Sequence, residues 1–563
     1  MRRPQLVVVL ATLLSSPAVF AQTSEEVREE QMFGEPEVTP DTVAAPDVDK
    51  TTETAQESSE APVDAEATPQ TDAESAREDD MFGEPEDTVT SVVAEAPASR
   101  DEATLSSQTS SSDIYQKLTE AEDPLAIGGQ VFLRSNYSIV DEGDPEDFSL
   151  SMPNLVDLYL DARPGDRVRF FTRGRLSYDP TVDESAVSAF GTTQDQTTVK
   201  LDQLWLKFDV ERFAYVTVGK QRIKWGTGRF WNPTDFLNSE TLDPLSVSVF
   251  DERLGVSLLK VHVPVESLAA NFYAIATLDD AKSPSDVGGA LRGEFVIGTS
   301  EITTSVAVRK NNPLRLGADF NGAVGPIDLK VEAVLKHGVK TPFYRGAYNT
   351  SPLGIDEFDL NGVAVADIPA AIEAQLPGVL AARQPESYSR EDDWIPQVVA
   401  GVEYSVNYTE DDAIYIGAEY FFNDAGYDNA DLYPVLIQSG AFTPFYTGRH
   451  YAGAYASLPA PGNWDDTSFT VSGFGNLSDR SFISRLDYSY KFATYLTFNA
   501  YAQGHFGAQG EFNYGYSQGP LIDPALVQMI PEDQRASLPA AVTDGVKVVG
   551  PLMDVGVGLR TSF

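Results

Sequence analysis

The stretch "RVRFFTRGRLSY", Arg167 to Tyr178, changes character at every step. Arg167, Arg169, Phe171, Arg173, Arg175 and Ser177 form one set; Val168, Phe170, Thr172, Gly174, Leu176 and Tyr178 form the other. A period of two places the sets on opposite faces of an extended strand. Alternation alone fits a soluble sandwich, whose apolar face is core, as well as a barrel, whose apolar face meets lipid. Length and joints decide between them.

Working outward, alternating segments recur from Leu125 to the carboxy terminus. They run about 10–14 residues, long enough to cross a bilayer at a tilt, whereas soluble strands average about 5–6. Short turns fall at Arg163–Arg167, Val210–Phe213, Pro264–Ser267, Gly298–Glu301, Gly325–Asp328, Thr409–Asp412, Pro459–Asp466 and Phe492–Tyr495. Between them lie connections of varied length, from Asn311–Pro313 to the segment Gly338–Ile395. Short turns at one end and longer loops at the other are the rule in outer-membrane barrels. Eight turns pair sixteen strands. A first strand near Gly129–Val140 and a last near Val549–Phe563 bring the expectation to an antiparallel barrel of about eighteen, with both ends periplasmic. Aromatics at strand ends, such as Tyr420–Phe422, Tyr488, Tyr490, Phe492 and Tyr495, suit the two interfacial girdles.

The last strand is the most specific. Val555, Val557, Leu559, Thr561 and Phe563 alternate with Asp554, Gly556, Gly558, Arg560 and Ser562, and the final residue is aromatic. This resembles the closing-strand signature by which outer-membrane barrels are recognised by their assembly machinery. The resemblance implies that Leu559 and Phe563 act as the assembly signal; Thr561 departs from the apolar or aromatic residue usual at its step.

A second resemblance covers about forty residues. "VGKQRIKWGTGRFWNPTDFLN" (Val218 to Asn238), then "DPL" at Asp243–Leu245 and "DERLG" at Asp251–Gly255, looks like a pattern in large, mostly uncharacterised porin-like outer-membrane families. There a strand ends in "G-R/K-Q", passes a "WG" pair and enters an "NPTD" loop. It implies a loop folded toward the pore, with Trp225, Arg229, Trp231, Asn232 and Asp235 as constriction residues.

A barrel of sixteen to eighteen strands leaves an aqueous lumen unless loops plug it. The alternation puts Arg134, Asp157, Asp161, Arg167, Arg169, Arg173, Arg175 and Lys207 on the inward face. Four arginines on one strand make an electropositive wall of the kind that selects anions. Alternatively, Asp157 and Asp161 on the preceding strand pair with and neutralise them.

The chain begins with a secretory leader: Arg2 and Arg3, an apolar run Leu6–Leu14, and small residues Val19 and Ala21 before a cut, giving a signal peptide over residues 1–21. Residues 22–124 carry 29 acidic against 5 basic side chains, a net of −24, and only Phe33, Phe82 and Tyr115 as aromatics. A stretch so charged and so poor in large apolar groups is expected to be a disordered, periplasmic tail. Within it "MFGEPE" occurs twice, at Met32–Glu37 and Met81–Glu86, each with an Arg four positions upstream (Arg28, Arg77). Met32, Phe33, Gly34 and Met81, Phe82, Gly83 are the candidate docking residues for a periplasmic partner; chance duplication in a low-complexity stretch is the alternative. Two copies on one tether raise avidity.

No cysteine is present, which removes disulfides, thiolate metal sites and thiol nucleophiles. A net charge of −45 argues against nucleic acid as a partner. His262, His337, His450 and His505 are scattered without metal-ligand spacing, and no nucleophile elbow or phosphate loop appears, so neither a metal, a cofactor nor a catalytic residue is expected. Acidic clusters at Asp141–Asp147, Glu391–Asp393 and Asp424–Asp431 read as solvated loop tips, or as sites for divalent cations bridging lipopolysaccharide. "DIPAAIEAQLPGVLAAR" from Asp367 and "DPALVQMIPEDQRASLPAAV" from Asp523 have helical spacing and are expected to pack over the barrel mouth.

These features point to a porin-like channel for small hydrophilic solutes in the outer membrane, seated in lipid and lipopolysaccharide. Two other functions stay open: an anchor whose tail tethers a periplasmic or inner-membrane complex, and a barrel hydrolase with Ser, His and acidic residues on neighbouring strands.

Overall fold

The computed structural model describes residues 124–563 apart from 141–147, 166, 185–193, 239–253, 280, 350, 364–370, 372–373, 376–377, 380–381, 410–411, 521–522, 524–545 and 549. The leader, the acidic tail before Pro124 and both Met-Phe-Gly copies lie outside the described residues. So do the Asp141–Asp147 cluster, Asp243–Leu245, residues 251–253 and nearly all of the helical segment expected after Asp523.

Eighteen strands build the barrel. The first six are β1 (Leu125–Val140), β2 (Asn154–Gly165), β3 (Val168–Tyr178), β4 (Thr197–Val210), β5 (Ala214–Gln221) and β6 (Val256–Val265). Next come β7 (Ala270–Thr277), β8 (Gly288–Ile297), β9 (Ser300–Val308), β10 (Leu314–Val324), β11 (Ile327–Arg345) and β12 (Glu386–Asn407). The last six are β13 (Ala413–Asn423), β14 (His450–Pro459), β15 (Thr467–Asn476), β16 (Ser481–Ala493), β17 (Leu496–Gly507) and β18 (Pro551–Ser562). Each pairs antiparallel with its neighbours in the chain, and β1 pairs antiparallel with β18 from Gln130↔Ser562 to Ile139↔Met553, which closes the sheet. A short strand, Ser149–Ser151, pairs with Asn136–Ser138 of β1 beyond the end of β2.

All eight expected short turns are present, at one end of the barrel, and the longer connections gather at the other. The tightest joins need left-handed backbone. Gly298 and Gly325 provide it at φ +65°, whereas Glu211 and Arg212 adopt it at +53° and +55°. At the seam, Gly129 N–H donates to the Phe563 carbonyl (2.8 Å) and Phe563 N–H to the Gly129 carbonyl (3.0 Å). A Cβ on Gly129 would stand 2.9 Å from the Phe563 ring and 2.5 Å from the Asp157 carbonyl oxygen, so a bare glycine lets the terminal aromatic lie across the closing pair.

Exposed large apolar side chains alternate with buried ones around the whole circumference: Leu133, Leu158, Leu204, Leu291, Leu335, Val402, Val471 and Val557 all point outward. An apolar belt this continuous is untenable against water and is the lipid-facing surface of a transmembrane barrel of the outer-membrane type. Tyr420, Tyr490, Phe492 and Tyr495 lie exposed near strand ends, as a girdle requires. No helix among the described residues is long and apolar enough to cross a membrane.

The connection from β11 to β12 is helical at residues 371, 374–375, 378–379 and 382–383, where the spacing from Asp367 anticipated a helix. An unanticipated helix, Tyr433–Gln438, occupies the β13–β14 connection just after the Asp424–Asp431 cluster. Asp424 and Asp428 of that cluster pair with Arg390 (2.6 Å) and Arg449 (2.8 Å).

Candidate functional site

The inner wall has two unlike sectors. Along β1–β5 and β16–β18 it is polar and ion-paired. Phe171 on β3 and Trp205 on β4 stack at 5.4 Å and are fully buried beneath guanidinium groups. Arg169 lies 5.5 Å from the Trp205 ring and Arg173 5.7 Å from Phe171. Aromatic floors of this kind fix the direction of long cationic side chains.

The arginine ladder is paired. Arg175 donates from Nε and Nη2 to the two oxygens of Asp157, both at 2.9 Å. Arg169 reaches Asp161 at 3.0 Å, and Arg163 joins the same carboxylate. Arg173 comes only to 4.0 Å of Asp202, which is held more closely by Arg222 (2.7 Å). Arg167 sits at the turn rim, 57% exposed, paired with Asp209. Arg134 donates to the Pro153 carbonyl (2.7 Å), and Lys207 lies 5.9 Å from the Tyr215 ring. Across the seam Arg485 covers Tyr501 at 3.9 Å and pairs with Asp487.

Asp202 was invisible to strict alternation. Gln203 stands opposite Arg173 and Leu201 opposite Gly174, so Asp202 is an extra residue in the β3–β4 ladder. The bulge buries Asp202 and Gln203 on the same side, although they are sequence neighbours. The signal was there: two consecutive polar residues interrupt "VKLDQLWLK".

The second sector, along β6–β8 and β11–β16, mixes apolar inward residues with buried polar ones such as Lys260, Arg292, Glu294 and Glu403, and residues 222–238 cover its apolar part. After β5 the chain turns into the lumen. Ile223, Trp225 and Phe236 pack against Val256, Leu258, Tyr273, Ile275, Ala290 and Val334. Phe230 and Trp231 cross to Val399, Phe421, Tyr451, Tyr455, Phe474 and Ile483. Trp231 stacks 5.8 Å from Phe421, and its indole N–H donates to the Phe445 carbonyl (3.1 Å).

Two buried carboxylates hold the crossing segment by its backbone. Glu332 on β11 accepts from the N–H groups of Thr227 and Gly228 (both 2.6 Å) and Thr234 (3.2 Å), and from the Thr234 hydroxyl (2.7 Å). Glu419 on β13 accepts from the N–H groups of Arg229 (2.7 Å), Phe230 (3.1 Å) and Trp231 (2.9 Å). Consecutive N–H groups can converge this way only on a tightly turned chain. Gly226, at φ +93°, permits the turn; a Cβ there would meet the Glu332 carboxylate at 2.7 Å.

Of the constriction residues suggested by sequence, Trp225 and Trp231 are buried anchors. Arg229 lies 3.7 Å from the Tyr455 ring, Asp235 accepts from the Asn238 amide (2.8 and 2.9 Å), and Asn232 sits beside Gly226. Glu332 and Glu419 were missed. For Glu419 the signal is an inward carboxylate beside inward Gly417 and Phe421 in "GAEYFF"; Glu332, on a face shared with Lys330 and Lys336, gave no such signal.

Two further loops fold inward. Phe445, from the β13–β14 connection, and Phe512, from the β17–β18 connection, pack together at 5.3 Å over Phe474 and Tyr451. Ser138, Asp554 and His505 also meet, but the Ser138 hydroxyl donates to Asp554 rather than to His505, so the group lacks the serine–histidine contact of a nucleophile and its base. Among the described residues no group of three or more His, Asp and Glu could hold a metal ion.

No protein-family model and no curated protein matches this sequence. Solved structures of similar shape include Pseudomonas aeruginosa OccK1 (OpdK), with TM-score 0.40 and 8% identity, covering 78% of this chain and 98% of that one. A BenF-like porin from Pseudomonas fluorescens Pf-5 gives 0.41 and 9% over the same shares. A triple mutant of the Rhodopseudomonas blastica porin gives 0.34 and 11%, covering 78% of this chain and 100% of that one. These values are too low to bear on what this chain does.

Proposed function

We propose that the chain is a porin-like outer-membrane channel for small hydrophilic solutes, with its conducting path along the polar sector of the lumen. The observation that carries this is the segment 222–238, pinned across one half of the lumen by Glu332 and Glu419. It covers the apolar inner wall and leaves the ion-paired wall of β1–β5 and β16–β18 as the surface a solute would meet. Because Arg169, Arg175 and Arg222 are each matched by a carboxylate, the path is weakly rather than strongly selective. Purified protein in planar bilayers should give stepwise ion currents, with and without residues 22–124. Absence of steps from both proteins would overturn the channel.

The duplicated motif supports a second role that can coexist with the first, the recruitment of a periplasmic protein. A flexible chain reaches roughly 5–6 Å times the square root of its length, so Phe33 and Phe82 would range about 50–60 Å and 35–40 Å from the barrel. Changing Met32, Phe33, Met81 and Phe82 to Ser should leave conductance intact and abolish crosslinking to a periplasmic partner. Identical crosslinks from both proteins would sink this role.

A further inference from the structure

The loop of residues 508–515 enters the lumen and is gripped at two adjacent residues. Glu511 is the first grip. Its carboxylate accepts from the Tyr451 hydroxyl (2.6 Å), the Asn476 amide (2.9 Å) and the Phe445 N–H, while its own N–H donates to Asp479 (2.8 Å). Asp479 also accepts from the Tyr433 hydroxyl (2.8 Å), Asn476 and Ser481. Two carboxylates therefore share one buried polar knot, and the groups facing Glu511 from the packed elements are Tyr451, Asn476, Tyr433 and Asp479. Among the described residues neither carboxylate takes part in an ion pair.

Phe512 is the second grip. Its N–H donates to Ser481 Oγ (3.0 Å), its ring joins the aromatic cluster, and its carbonyl lies 2.6 Å from His505 Nδ1. His505 Nε2 lies 2.8 Å from Asp554 Oδ2. Gln503 (3.1 Å from the same nitrogen), Ser138 on Asp554 and the charge of Arg485 complete the surroundings. Nδ1 faces the Phe512 carbonyl oxygen, while Nε2 faces both the Asp554 carboxylate and the Gln503 amide nitrogen, a donor, so the ring ties the Phe512 backbone to the polar wall.

We propose that residues 508–515 form a proton-held lid over the inward segment, clamped through Glu511 on one side and His505 on the other. The proton acts through Glu511. Burial, with the Asp479 charge alongside, pushes the Glu511 carboxyl up to about 8, so closing the lid takes up a proton that the open loop would release. A carboxyl raised in the closed state favours closure most at low pH, and that advantage is lost as pH rises toward about 8. When the lid lifts, Phe512 leaves the cluster over Tyr451 and Phe474, and the link from Glu511 to the Phe445 backbone goes with it.

Hydrogen exchange of the 508–515 amides, corrected for the intrinsic pH dependence of exchange, reads this directly in the full chain. For the Glu511 proton, lid closure weakens by up to about tenfold per pH unit below pH 8. Wild-type protection should therefore collapse between about pH 6 and pH 9.5 while that of β14 and β15 holds. Glu511→Gln, neutral throughout, should stay protected at the higher pH. Equal wild-type protection at both pH values would overturn the lid, and that result needs no variant to fold. So would a Glu511→Gln loop that opens just as wild type does. Bilayer recordings at the same two pH values should show larger current when the lid is open. Exchange that changes with no current at either pH would uphold the lid and fault only the channel reading.

Discussion

The two halves of the inner wall are built from antiparallel strands with the same outward apolar face, yet they solve opposite problems. On β3 the inward side is Arg169, Phe171, Arg173 and Arg175, and each cation lies over an aromatic or against a carboxylate. On β6 and β7 the inward side includes Leu258, Tyr273 and Ile275, which are almost fully buried. An apolar inner wall cannot face a water-filled lumen without losing about 25 cal/mol for every Å² left wet. The chain covers it with Trp225, Phe230, Trp231 and Phe236. The polar half needs no such cover. Inward side-chain chemistry, then, decides which part of the wall the chain must cover.

Releasing the cover should have the largest effect. Glu332→Ala with Glu419→Ala strips seven hydrogen-bond donors of their carboxylate partners, at about 1–3 kcal/mol for each donor that stays buried. The expected result is a several-fold rise in single-channel conductance and a lower unfolding temperature with the barrel still assembled. Unchanged conductance would mean that the segment does not narrow the path.

Trp231→Ala should cost about 3–5 kcal/mol, the range for emptying a fully buried indole site. Denaturant unfolding checks it, and a loss under about 1 kcal/mol would show that water already reaches this side.

In the polar half, Asp157→Asn removes the carboxylate from a buried pair and leaves Arg175 charged. A loss of about 2 kcal/mol is expected for a hydrogen-bonded charge. The reversal potential in a salt gradient should also move toward anions. No movement would place the pair outside the ion path. Arg167→Gln should do least: its pair with Asp209 is exposed at the rim, where solvent screens it, and neither the unfolding temperature nor the ion preference should change.

Much of this was legible in the sequence. Eight turns, eighteen strands and the closing strand at Phe563 follow from period-two alternation and from joint length, which are local properties. The pairing of the arginines was open until the register set Asp157 opposite Arg175. Asp202 escaped because a bulge breaks the period on which the inward assignment depended. Glu332 and Glu419 escaped because their partners are backbone N–H groups about 100 and 190 residues away in sequence, and no local pattern encodes such a contact. Inward folding of the β13–β14 and β17–β18 loops was likewise hidden, although Phe442, Phe445, Tyr446 and Phe512 are more apolar than solvated loop tips need.

The absence of cysteine allows the two halves to be probed one position at a time. Single cysteines at Asn136 and Asn499, inward on the polar wall, can be compared with cysteines at Leu258 and Val399, inward beneath the crossing segment. A charged methanethiosulfonate reagent applied during bilayer recording should cut the current through the Asn136 and Asn499 variants and leave that through the Leu258 and Val399 variants unchanged. Block from Leu258 and Val399, with none from Asn136 and Asn499, would put the conducting path on the other side of the barrel and contradict the division of the lumen.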